Sequence, residues 1–164
     1  MRCTLAVSLA FMMVMSSGAA IAACSDQAAA GVKWGRCYME EQNLAGVTLD
    51  KADLREARFN RSDLSGASLK SADMRRAKFV SADLRGAQLQ QADLRETDFT
   101  RAVLRDAKMA NADLRRARLF RADLRGADLT GAILDMTDLM NANLTGAVWI
   151  NGQRCAEGSV SQCK

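Results

Sequence analysis

The chain of 164 residues contains no histidine and no proline. Without histidine it lacks the side chain most used for proton transfer near neutral pH, and the commonest metal ligand. No Cys-x-x-Cys pair, nucleophile elbow or phosphate-binding glycine loop occurs in it. Catalysis needs convergent groups of tuned acidity in a concave site, and nothing in the sequence supplies them, so the chain reads as a non-enzyme that needs no cofactor or metal. Beyond residue 23 no apolar run approaches the roughly 20 residues that span a bilayer. No proline-rich or low-complexity linker divides the rest, which reads as one domain.

What is present is a period of five. Ala-Asp-Leu-Arg recurs at Ala52–Arg55, Ala82–Arg85, Ala92–Arg95, Ala112–Arg115 and Ala122–Arg125. From Leu44 to Trp149 every fifth residue is large and apolar, and from Ala52 onward the residue two before it is small, mostly Ala. On an α-helix five residues advance about 500°, so this row would spiral around the whole surface. In a flat strand an odd period would switch faces at each step. The pattern requires short extended stretches that each end in a turn, with coils of them stacked into a solenoid. A slower rhythm sets the size of a coil. Phe59, Phe79 and Phe99 are twenty apart, and Leu44, Leu64, Leu84, Leu104, Leu124 and Leu144 form a second column at the same spacing. Twenty residues per coil means four repeats and four faces, with these columns as the core.

The pattern A-[D/N]-L-x-x resembles that of the pentapeptide repeat proteins. The resemblance implies an all-β fold, a right-handed four-sided β-helix. Here it would have about six coils, stacked at roughly 4.8 Å into a rod about 25–30 Å long. The small residue suits a narrow interior, and the Asp or Asn can bond a backbone amide in the turn.

Residues 1–23 read as a secretory signal peptide. Arg2 precedes the apolar run Leu5–Met15, and small residues with Ala-x-Ala matches follow it. Removing them takes away Arg2 and no acid, so the formal charge falls from +4 to +3. Four cysteines remain, and an even count outside the cytoplasm argues for disulfides. Cys24 and Cys37 flank the start of the solenoid and Cys155 and Cys163 follow its end. Bridged Cα atoms lie within about 7 Å, so the pairs Cys24–Cys37 and Cys155–Cys163 are the ones a rod allows. They would cap residues 24–41 and 152–164 around a repeat body of residues 42–151. The expected location is periplasmic or secreted. Ile21-Ala22-Ala23-Cys24 also resembles a lipoprotein signal, and lipidation of Cys24 would instead anchor the protein and orphan Cys37.

The outward positions carry charge in columns. Asp53, Asp73, Asp93 and Asp113 lie beside Arg55, Arg75, Arg95 and Arg115, a balanced face suited to solubility and register. The Phe-centred face carries Arg58, Arg61, Lys78, Arg101, Arg118 and Arg121 against Asp98 and Asp138, six bases less two acids, or +4. Outward-pointing Phe120 and Met140 sit near its C-terminal end. This basic stripe with apolar neighbours is the expected binding face. It suits a scaffold of the bacterial envelope that docks an anionic polymer, anionic lipid headgroups or an acidic protein. Some members of the resembled family are acidic rods that imitate DNA and bind gyrase. The basic charge has the wrong sign for that role, and export removes the chain from cytoplasmic nucleic acid.

Overall fold

A computed structural model describes residues 24–164; the proposed signal segment and Cys3 lie outside the described residues. The repeat Ala52-Asp53-Leu54-Arg55-Glu56 shows how the fold is built. The Ala52 N–H donates to Leu49 O at 3.1 Å and closes the preceding turn. The Asp53 N–H reaches back to Val32 O on the previous coil at 2.9 Å, and the Leu54 N–H reaches forward to Asp73 O on the next at 2.8 Å. The Glu56 N–H also bonds forward, to Arg75 O at 2.9 Å. The Arg55 N–H is taken by its own neighbour, the Asp53 side chain, at 3.3 Å. All five amide donors of the repeat are therefore satisfied.

Parallel bridges join each such residue to the one twenty later, from Lys33–Asp53 through to Asp128–Val148. A coil thus has twenty residues and four corners. Gly31 to Ile150 makes about six coils. The sides are so short that pairing consists of isolated bridges rather than continuous strands, because a turn begins every five residues. Each turn places its third residue at positive φ, at every fifth position from Gly31 to Gly146. That is the signature of a type II turn, which favours glycine. Most of these positions are not glycine: Lys51 stands at 57°, Glu56 at 58° and Met136 at 58°. Each such residue costs roughly 1–2 kcal/mol, and the inter-coil bonds and core must offset it.

The interior is lined by the large central residues and the small residues two before them. Leu64, Leu84, Leu104, Leu124 and Leu144 are fully buried, and Leu44, on the first coil, nearly so. Phe59, Phe79 and Phe99 stack with centroids 5.0 and 5.2 Å apart. Where Ser or Thr takes the small position, its hydroxyl finds a carbonyl: Ser62 Oγ donates to Met39 O at 2.6 Å and Thr97 Oγ1 to Met74 O at 2.9 Å.

Both ends are tied by disulfides, Cys24–Cys37 with Cα atoms 5.6 Å apart and Cys155–Cys163 at 4.9 Å. The first uses the Cys24 sulfur that lipidation would need. At the N-terminal end Trp34 is buried, and its indole N–H donates to Asp26 O at 3.2 Å. At the other end residues 152–164 turn back antiparallel, pairing Val148 with Arg154 and Asn143 with Val160. This tail covers two of the four sides of coil 131–150, and Leu134 and Leu139 on the other two are only partly buried.

The buried columns generate a paired prediction. Leu84→Ala should destabilise by about 2–5 kcal/mol by leaving a cavity. Ala82→Leu should cost about 1–3 kcal/mol because the interior has no room for it. Urea midpoints of both variants test this; a wild-type midpoint for either would contradict the packing.

Candidate functional site

Each side of a coil sends the residue before its centre outward and places two more at the corner. Outward charges therefore stack in columns one coil apart. On the side centred on Leu54, Met74, Leu94 and Leu114, the acids and arginines interlock. Arg75 bonds Asp73 through Nη2 at 2.6 Å and approaches Asp93 on the next coil at 3.5 Å. Arg55 and Arg95 repeat this arrangement with Asp53 and Asp73, and with Asp93 and Asp113. The ladder runs along the rod with no net sign.

These contacts favour the ionised form of Asp53, Asp73 and Asp113. The side-chain bond from Arg75 holds the Asp73 carboxyl below the usual carboxylate range, against the opposing effect of partial burial. Asp53 and Asp113 are lowered in the same way by Arg55 and Arg115. Asp63 and Asp128 are lowered first by the hydroxyls of Ser65 and Thr130 and then by the backbone amides of those residues. The acid before the centre thus serves as a turn acceptor throughout. A catalytic acid would need its proton held, and these are arranged to release it.

The Phe-centred side differs in its partners. Arg36, Arg55, Arg61, Arg75, Arg76, Arg85, Arg95, Arg105, Arg115 and Arg125 are in ion pairs. Among the described residues, the arginines outside these pairs are Arg58, Arg101, Arg116, Arg118, Arg121 and Arg154. Four of those six lie on the Phe-centred side. Arg58 stacks on the exposed Tyr38 ring at 4.8 Å. Arg101 and Arg121 occupy the same corner on consecutive coils, both exposed, and Arg118 and Lys78 are exposed on the adjoining side.

Two expectations need correction. Residues 40 and 41 belong to this side, and they are acids. Glu41 pairs with Arg61 at 2.7 Å and Glu40 accepts from Asn60 at 2.8 Å. Six bases against four acids leave +2, not +4, and the unneutralised charge moves toward the C-terminal half. Phe120 is half-buried rather than freely outward, because the Arg121 guanidinium lies over its ring at 5.0 Å. Met140 is exposed at 57%. Sequence reasoning passed over Tyr38, the partner of Arg58, although its place in the same outward column as Arg58 was the available signal.

A family profile described as pentapeptide repeats matches residues 30–61, 43–79, 82–119 and 121–146. No curated protein matches the chain in sequence. Among solved structures the chain is similar to HetL, a pentapeptide repeat protein involved in heterocyst differentiation regulation from the cyanobacterium Nostoc sp. strain PCC 7120. Identity is 32% and the TM-score 0.56, over 76% of this chain and 62% of that one. It is also similar to AT2G44920, a pentapeptide repeat protein from the Arabidopsis thaliana thylakoid lumen. There identity is 33% and the TM-score 0.55, over 63% of this chain and 69% of that one.

The lowered acids generate a pH prediction. Their folded pKa lies below the unfolded value of about 3.9, so their contribution is complete above that value and is lost as pH falls through the lowered one. Urea midpoints should be level from about pH 5 to about pH 8 and decline below about pH 4. Asn substituted at Asp53, Asp73 and Asp113 keeps the turn acceptor and removes the ion pair. That triple variant should lose about 1 kcal/mol or less per site at pH 7 and decline less steeply in acid. An acid decline as steep as wild type would place the linkage on other groups.

Proposed function

This chain belongs to the pentapeptide repeat family, and we propose that it is an exported, non-catalytic scaffold of the bacterial envelope that docks an anionic partner. The carrying observation is the concentration of arginines outside ion pairs on the Phe-centred side, with Arg101 and Arg121 stacked at one corner. Elsewhere on the solenoid almost every guanidinium is already engaged by a carboxylate. Bare guanidiniums one coil apart suit a partner that brings its own anions, and they offer each one planar, forked donors. Exposed Met140 and the Phe120 edge add apolar contact beside them.

On this reading residues 1–23 are a signal peptide, 24–41 and 152–164 are caps, and 42–151 are a right-handed repeat body. The two disulfides fit an oxidising compartment, and the engagement of Cys24 with Cys37 favours a soluble mature protein over a lipid-anchored one. A gyrase-directed role has less support, since neither the surface charge nor an exported location suits imitation of DNA.

Replacing Arg101, Arg118 and Arg121 with Ser tests the reading. Binding to phosphatidylglycerol vesicles or to an acidic polysaccharide at low salt should weaken about tenfold or more, which is about 1.4 kcal/mol, without loss of thermal stability. The matched triple at Arg55, Arg95 and Arg115 changes the net charge equally and should bind more nearly as wild type does. Wild-type binding should fall with salt, as the Debye length shrinks from about 10 Å at 0.1 M to about 3 Å at 1 M. Equal binding by the two triples would reduce the stripe to a solvated surface.

A further inference from the structure

The tail covers coil 131–150 only in part, and the uncovered part has a defined hydrogen-bonding pattern. Over two sides the tail bonds the coil directly. Trp149 N–H donates to Gln153 O at 2.7 Å and Cys155 N–H to Ala147 O at 2.8 Å; Leu144 N–H donates to Ser159 O at 2.8 Å and Ser161 N–H to Ala142 O at 3.0 Å. On the other two sides the corresponding groups are the N–H of Leu134 and Leu139 and the carbonyls of Ala132 and Thr137. None of the four has a partner among the described residues. In every earlier coil these groups bond the coil that follows, as the Leu114 N–H and the Ala112 carbonyl bond Ile133.

The tail has a matching surplus. Residues 153 and 155 turn their bonding groups toward the coil, so those of Arg154 between them face away; the same holds for Val160 between 159 and 161. The N–H and carbonyl of Arg154 and of Val160 are also without partners among the described residues. The corner amide of Met136 is open as well, so three donors and two acceptors on the coil face the same direction along the rod as two of each on the tail.

We propose that two copies of this chain join through these ends about a twofold axis perpendicular to the rod. The axis runs through two opposite corners of the square. It carries each tail onto the two open sides of the other copy, so the two half-layers make one shared coil. The partner's tail then runs parallel to the sides it covers. Its Arg154 and Val160 receive the Leu134 and Leu139 amides and donate to the Ala132 and Thr137 carbonyls. This is the register every earlier coil uses. Leu134 and Leu139 pass from partial to full burial, and an exposed edge is removed. The contact is self-complementary, as a twofold interface must be. This inference rests on the coil end alone and is independent of the basic face.

The test is sedimentation equilibrium of the purified protein with both disulfides formed, beside the double variant Arg154→Pro, Val160→Pro. Proline removes the two outward N–H groups and keeps the inward bonds of residues 153, 155, 159 and 161, its tolerated place on a sheet edge. The wild type should reach twice the monomer mass as concentration rises, and the variant should remain a monomer with an unchanged circular dichroism spectrum. Hydrogen exchange on the wild type alone gives a second readout: the Leu134 and Leu139 amides should become protected with concentration. A wild type that stays monomeric, a double variant that still dimerises, or Leu134 and Leu139 amides indifferent to concentration would each overturn the proposal.

Discussion

The structure depends on the disposal of five backbone amides in five residues. One closes the turn, one bonds backward to the previous coil, two bond forward, and the last is taken by the side chain before the centre. A buried or strand-like backbone that left any of these unpaired would lose the desolvation cost of that group, on the order of 1–3 kcal/mol. Multiplied along the repeats, that sum would exceed the stability of an ordinary domain. The repeat is therefore less a packing motif than a solution to amide pairing in a chain that turns every five residues. It also explains why the residue before the centre is so often Asp or Asn: Asp63, Asp98, Asp128 and Asn143 each accept the amide two residues on, at 2.9 to 3.0 Å.

The same constraint sets the interior. Four short sides enclose a narrow bore, which is filled once each side contributes one large and one small residue. Twenty-residue columns follow because each side stacks on the same side of the next coil, so that a Phe ring meets a Phe ring at 8°. The cost is the strained corner. Holding Lys51, Glu56 and Arg76 at φ near 58° is unfavourable for an isolated turn. It persists because that residue's amide bonds the next coil, as Glu56 bonds Arg75 O. Relaxing one corner would break pairing on the coil above it.

Much of this was legible in the sequence because period, side-chain size and the Phe spacing are all properties of residue type. The left-handed corner was legible only in outline. Gly46, Gly66, Gly86 and Gly126 share that position, but charged residues at most of the others concealed it. They are tolerated through coil-to-coil bonding, which no local pattern reveals. The charged face was read less well. Glu40 and Glu41 fall where the repeat becomes irregular, so their place on the Phe-centred side emerged only once Tyr38 was seen paired with Arg58 in the column. Phe120 is outward by register, yet the Arg121 guanidinium covers it, and such a cation–π contact depends on a rotamer rather than on the period.

A solenoid this regular leaves few places where function can reside. A repeated outward position is matched by its neighbours above and below, as the Asp73–Arg75–Asp93 ladder shows, and a matched position has little left to offer a partner. Recognition must draw on departures from the repeat. On the faces the departure is electrostatic: guanidiniums stacked without carboxylates at Arg101 and Arg121. At the end it is geometric: a tail that pairs two sides of a four-sided coil and leaves two. The two departures use different physics, since salt screens charges exposed to water far more than it affects backbone hydrogen bonds between packed coils. Lying at different places on the rod, they can be engaged together, so a rod joined at its ends would present two such basic faces to one extended anionic partner. The second contact would then be intramolecular, strengthening attachment without any new contact chemistry on the face itself.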